Sequence, residues 1–127
     1  MCLSQVDRMI PESSPEYAEE RFAWKAFLNW TGGLFVPFYS DRHSKGFPTG
    51  QWIQAVRERV STIPAYDSGF HAFTSEEDCR SAFYSGYDIR KVKLRGVHTE
   101  GKEFWPDGRV PVVVADEMFI LEEETNG

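Results

Sequence analysis

Cysteine is scarce in this chain of 127 residues: there are two, Cys2 and Cys79. They stand too far apart in sequence for a disulfide framework or a Cys-x-x-Cys redox or metal site. Long apolar runs are also missing. No stretch approaches the roughly 20 residues needed to cross a bilayer, and Met1 to Pro15 lacks the apolar segment of a secretory signal. These absences predict a soluble, cytoplasmic protein with no membrane contact. Positive charge is in deficit: 14 Lys and Arg against 20 Asp and Glu leave a net charge of −6. Sequence-independent binding to nucleic acid depends on neutralising phosphates, so no direct nucleic-acid contact is expected. An acidic surface can instead occupy a basic groove on a protein partner. There is no Gly-x-Ser-x-Gly elbow and no glycine-rich loop of the Walker or Rossmann kind. Those nucleophile and nucleotide classes are set aside, and no cofactor is expected.

Aromatic residues, by contrast, are plentiful, with ten Phe, five Tyr and four Trp. With 41% hydrophobic residues, the chain can fill one core, and its length predicts one domain. Residues 1–20 are polar and carry Pro11 and Pro15, and read as a flexible N-terminal arm. Residues 21–122 form the domain and 123–127 an acidic tail. From Phe22 to Trp30, Phe22, Trp24, Ala26, Leu28 and Trp30 alternate with Lys25, Phe27 and Asn29, the pattern of a half-buried strand. Thr31-Gly32-Gly33 then turns the chain into a returning strand, Leu34 to Tyr39. Residues 51–60 fit helix and strand periods alike and are read as a strand. Gly69 to Phe73 is a short aromatic strand. Thr74 then caps a helix over about residues 75–84, with Glu77 completing a capping box. Ile89 to Val97 alternates as a strand, Thr99 to Gly108 reads as a polar loop, and Val110 to Leu121 is apolar enough for a central strand. Together these predict an α+β domain, a mostly antiparallel sheet packed by one main helix.

Trp24-Lys25-Ala26-Phe27, Gly50-Gln51-Trp52, Gly69-Phe70-His71-Ala72, Arg95-Gly96-Val97 and a final Val-Ala-Asp-Glu strand occur in an order that resembles a family of small domains of bacteria and their phages. The family carries no assigned activity, so the resemblance implies a fold and a phage or bacterial setting. The family often has Cys after its His-Ala pair. This chain has Phe73, so no metal reading follows. A second, looser similarity is to ADP-ribosyltransferase-like folds. It implies a catalytic role for Glu117 on the last strand, with His71 in the same cleft. In such folds an early-strand His or Arg holds the dinucleotide, and here the early strand offers only Arg21 and Lys25.

Four groups of candidate site residues follow. His71, just before a helix N-terminus with Thr74 and Ser75, could meet a small phosphate-bearing ligand; the competing reading is a structural histidine bonded to backbone. Lys91, Lys93 and Arg95 alternate and would project from one sheet face, either as a ligand-binding stripe or as a wet face neutralised by Glu100, Glu103 and Glu117. A zinc site from His71, Cys79 and His98 lacks ligand spacing, and no metal is expected. Trp30, Phe35, Tyr39 and Phe47 cluster near the first hairpin and would suit a protein partner if exposed. The leading expectation is a small acidic, non-catalytic binding protein, such as a phage or prophage inhibitor of a host defence or regulatory complex. The alternative is a nucleotide-binding enzyme resembling ADP-ribosyltransferases.

Overall fold

A computed structural model describes residues 3–30, 33–35, 47–60, 64–83, 87–104 and 108–122. The elements in chain order are β1 (Gln5–Met9), α1 (Pro15–Ala18), β2 (Arg21–Trp30), β3 (Gly33–Phe35), β4 (Trp52–Gln54), β5 (Arg59–Val60), β6 (Tyr66–Asp67), β7 (Phe70–Phe73), α2 (Glu76–Ala82), β8 (Asp88–Glu103) and β9 (Val110–Ile120). Seven strands join one antiparallel sheet, while β5 and β6 make a separate two-stranded ribbon.

The frame is the long β8–β9 hairpin, in register from Val92↔Ile120 to Glu103↔Val110. β2 and β1 lie end to end along the free edge of β8. β4 and β7 do the same along β9. A single pair, Trp24↔Phe73, joins β2 to β7. The pairings β2–β8–β9–β7–β2 therefore close a circuit, as in a small barrel, which leaves fewer raw sheet edges.

This architecture overturns the expected α+β domain with one main helix. α2 has seven residues and buries only Cys79; α1 has four and buries none. A sheet that curls onto itself fills its interior from its own strands, so no helix is needed to cover it. The cap also moves by one residue: the Ser75 hydroxyl, not Thr74, accepts from the Asp78 N–H at 3.1 Å.

Other expectations shift for related reasons. The N-terminal segment is built into the fold: β1 pairs with β8, and Leu3 and Ile10 are buried. Residues 99–103, read as loop, extend β8 because β1 supplies a partner strand. Residues 51–60 hold two short strands, β4 and β5, in place of one. The first hairpin forms, with Leu28↔Phe35 and Trp30↔Gly33 in register; residues 36–46 lie outside the described residues.

The largest surprise is the face of β2. Ala23, Lys25 and Phe27 are buried, whereas Phe22 is 53% and Leu28 39% exposed. Both faces of this strand carry apolar side chains, so alternation alone does not select the inner one. Ala23 and Phe27 enter a core with Phe47, Phe70, Leu94 and Met118. A second core, of Leu3, Ala26, Tyr66, Phe73, Cys79, Val112 and Val114, packs beside it.

Candidate functional site

With Ala23 and Phe27 inward, Phe22 stands exposed on the face that also carries Lys91, Lys93 and Arg95, while Trp24, on the same side of β2, is half-buried against the second core. Registers across four strands align one row, Phe22↔Lys93↔Phe119↔Trp52. The row on one side is Trp24↔Lys91, and on the other Arg95↔Glu117↔Gln54. Cations and rings interleave along and across these rows. The Lys91 ammonium lies 4.3 Å from the Phe22 ring centre and 5.7 Å from Trp24. Lys93 lies 6.0 Å from Phe22 and 5.6 Å from Phe119. The Arg95 guanidinium sits 4.2 Å above Trp52, whose ring is 5.5 Å from that of Phe119. Exposed cation–π contacts contribute about 0.5–1 kcal/mol each, enough to orient rings but not to seal them from a ligand.

The carboxylates expected to neutralise the stripe are largely committed elsewhere. Glu100 is bound by Arg8 and approached by Arg21 at 3.8 Å. Glu103 is partly buried, and burial raises its carboxyl above the usual range. Of these three, Glu117 meets the stripe, paired with Arg95 at 2.5 Å. Among the described residues, Lys91 and Lys93 form no ion pair.

His71 has a different fate. Its ring is 5% exposed. Its Nδ1 faces the Gly69 carbonyl at 3.1 Å and its Nε2 the Tyr66 hydroxyl at 2.9 Å. A carbonyl only accepts, so Nδ1 carries the proton and Nε2 accepts from Tyr66. The Tyr66 oxygen in turn accepts from the Leu3 N–H at 2.9 Å. Burial, reinforced by the Lys25 charge, lowers the imidazole to about 3, so it is neutral and saturated. Thr74 and Ser75 do not join it in a phosphate cradle. Ser75 caps α2, and Glu76, Glu77 and Asp78 already place negative charge on that first turn. Glu117, bonded to Arg95, shares no partner with His71 among the described residues.

Behind His71 lies Lys25, only 4% exposed. Its ammonium donates to the His71 carbonyl, taking the place of a strand N–H where β2 and β7 part after their single pair. Burial lowers this amine to about 8, and raises the neighbouring Cys79 thiol to about 12.

A second polar cluster surrounds Asp116. Arg57 grips its carboxylate twice, with Nε at 3.1 Å, and the Tyr17 hydroxyl donates to it as well. Burial alone would raise this carboxyl, but the bonds from Arg57 and Tyr17 outweigh it and hold it below the usual range. The Tyr17 phenol is pushed up to about 12, by burial first and then by its bond to Asp116. Arg57 also lies 3.4 Å from Glu12 and 3.6 Å from Asp67. His98, on a β8 bulge, has its Nε2 3.8 Å from Asp116, beyond hydrogen-bond distance. Burial and the Arg57 charge lower this imidazole. Gly96 permits the assembly: at φ +73, a Cβ there would lie 3.1 Å from the Tyr17 hydroxyl. With its carboxylate saturated, the cluster ties α1 and the β4–β5 connection to the central hairpin.

Among the described residues, no three His, Cys, Asp or Glu side chains are placed to hold a metal ion, and the helices include none long and apolar enough to cross a membrane. Of the proposed partner-binding aromatics, Phe47 is core, edge-on to Phe27 and Phe70. Tyr39 and the side chains of Trp30 and Phe35 lie outside the described residues. Sequence reasoning missed that Phe22, exposed, and Trp24, Trp52 and Phe119, half-buried, line one face, and it missed Tyr17 and Arg57 altogether. An isolated glycine in a strand, Gly96, and an acid inside the apolar run, Asp116, were the signals for the second group. In comparisons with known proteins, the chain matches no family model, no curated protein and no solved structure.

Proposed function

We propose that this protein is a non-catalytic binding module whose recognition surface is the outer face of β2, β8, β9 and β4. The observation that carries this reading is the row Phe22–Lys93–Phe119–Trp52 with its flanking Lys91, Trp24 and Arg95. Trp and Arg dominate binding energetics at interfaces, and here half-buried tryptophans and Arg95 share a face with two lysines that form no ion pair among the described residues. The buried polar groups support the same reading from the other side. His71, Lys25 and Asp116 have bonds to the protein's own groups, so each serves the fold. Occupying a partner's site, as an inhibitor does, is one use of such a surface, and the phage or bacterial setting implied by the Gly-Phe-His-Ala block belongs to the same proposal.

The test compares capture from bacterial lysate by the wild-type protein, the Lys91→Glu/Lys93→Glu variant and a control, Arg59→Glu/Arg80→Glu, with the same charge change elsewhere. A partner retained by the control and lost by the stripe variant supports the reading. Equal capture by all three overturns it.

A further inference from the structure

We infer that the ligand of this face is single-stranded nucleic acid, its bases stacking on Phe22, Trp24, Phe119 and Trp52 while Lys91, Lys93 and Arg95 follow its phosphates. The inference rests on the binding-module reading above and names the ligand class. Proteins that hold single strands combine a line of cations with aromatic rings, because every base has a π-face and every linkage a negative charge. This face has both, in register. Side chains two apart on a strand recur about every 6.7 Å, a spacing that suits one cation per nucleotide of an extended strand. The rings flank that line on both sides, Phe22 and Trp24 from β2 and Phe119 and Trp52 from β9 and β4.

Each lysine now lies over a ring and needs only a side-chain rotation to meet a phosphate, freeing that ring for a base. Glu117 and Arg95 neutralise each other and Glu20 also acts on Arg95, so Lys91 and Lys93 are the cations of this face without an ion pair among the described residues. The net charge of −6 is an average over the whole surface, whereas three of the cations of β8, Lys91, Lys93 and Arg95, share one face. A duplex suits this site poorly: its bases are already stacked, and three cations on an acidic protein neutralise few of its phosphates. An acidic peptide supplies charge but nothing planar for four rings.

The experiment uses the full chain and fluorescently labelled oligothymidylate, oligouridylate, an abasic oligomer of equal charge, a duplex of equal length and an oligoglutamate peptide. Binding is read by anisotropy and by quenching of tryptophan fluorescence. We expect saturable binding of one or both single strands, with quenching, and weak binding of the abasic and duplex probes. The stronger of oligothymidylate and oligouridylate decides between DNA and RNA. Two to three phosphate contacts predict a loss of about 7- to 18-fold in affinity between 50 and 200 mM salt. Phe22→Ala and Phe119→Ala should each weaken binding about 5- to 150-fold, and Lys91→Glu/Lys93→Glu should abolish it. Phe22 is 53% exposed, so its variant has no core to disrupt, and circular dichroism verifies the others. No saturable binding, equal binding of the abasic oligomer, or indifference to the face variants overturns the inference. Oligoglutamate or a captured protein that binds in its place, and is lost in the same variants, overturns the ligand class while leaving the face as the binding site.

Discussion

Lys25 offers the sharpest test of the interior. Its amine falls from 10.5 to about 8 because burial penalises the charged form, which corresponds to about 3 kcal/mol of cost to the folded state while the group is charged. The sign follows from linkage. Below about pH 8 Lys25 is charged in both states, and the folded protein carries the whole penalty. Between about 8 and 10.5 the unfolded chain binds more protons, so the penalty fades as pH rises, and above 10.5 it is gone. Replacing Lys25 by Met removes the charge, keeps much of the volume and leaves the His71 carbonyl without its donor, a loss of about 1–3 kcal/mol.

Near pH 7 the two effects oppose, and Lys25→Met should be neutral to mildly stabilising. Near pH 11 only the lost hydrogen bond remains, and the variant should be the less stable protein. The difference between wild type and variant should therefore swing by about 3 kcal/mol. Cys79 and Tyr17, both raised to about 12, lower stability at high pH by holding protons in the folded state. They are present in both proteins, so the comparison largely cancels them. Urea unfolding of both proteins across this pH range measures the swing. Parallel stability curves would refute a buried, charge-penalised Lys25.

Three further outcomes follow from the clusters. Asp116→Asn loses the charge of the Arg57 grip and should destabilise by about 2–3 kcal/mol near neutral pH. Because the Asp116 carboxyl is held below its ordinary value, its stabilisation is present above about pH 4 and fades in acid, so thermal melts of the two proteins should converge as pH falls. Gly96→Ala places a Cβ 3.1 Å from the Tyr17 hydroxyl at φ +73 and should cost about 1–3 kcal/mol, with proteolysis around α1 as the local readout. Cys79 is fully buried and its thiol is raised to about 12. In a Cys2→Ser background it should react with a thiol reagent only as fast as the protein opens; fast labelling of folded protein would contradict its placement.

Much of the strand content was legible from residue pattern. The Lys91/Lys93/Arg95 alternation anticipated one shared face, the Val110–Ile120 run a central strand, and the Thr31-Gly32-Gly33 turn a hairpin. The helix was overvalued because a capping signal marks where a helix begins, not how far it runs or how much it covers. The aromatic face was missed because β2 is apolar on both sides, and hydrophobicity alone assigned the bulkier side to the core. Tyr17, Arg57 and Asp116 come from segments far apart in sequence, and nothing local announced that they meet.

The sequence by itself determined the elements whose cause is local: backbone turns, alternation along each strand and the order of charges on β8. Tertiary structure alone decided which side of β2 faces inward, which rings stand beside the lysines, and that Lys25 is dehydrated while Lys91 is wet. Those outcomes depend on register between strands and on closure of the sheet. Shifting a strand by one residue exchanges its two faces, and only the pairing of the whole set selects between them.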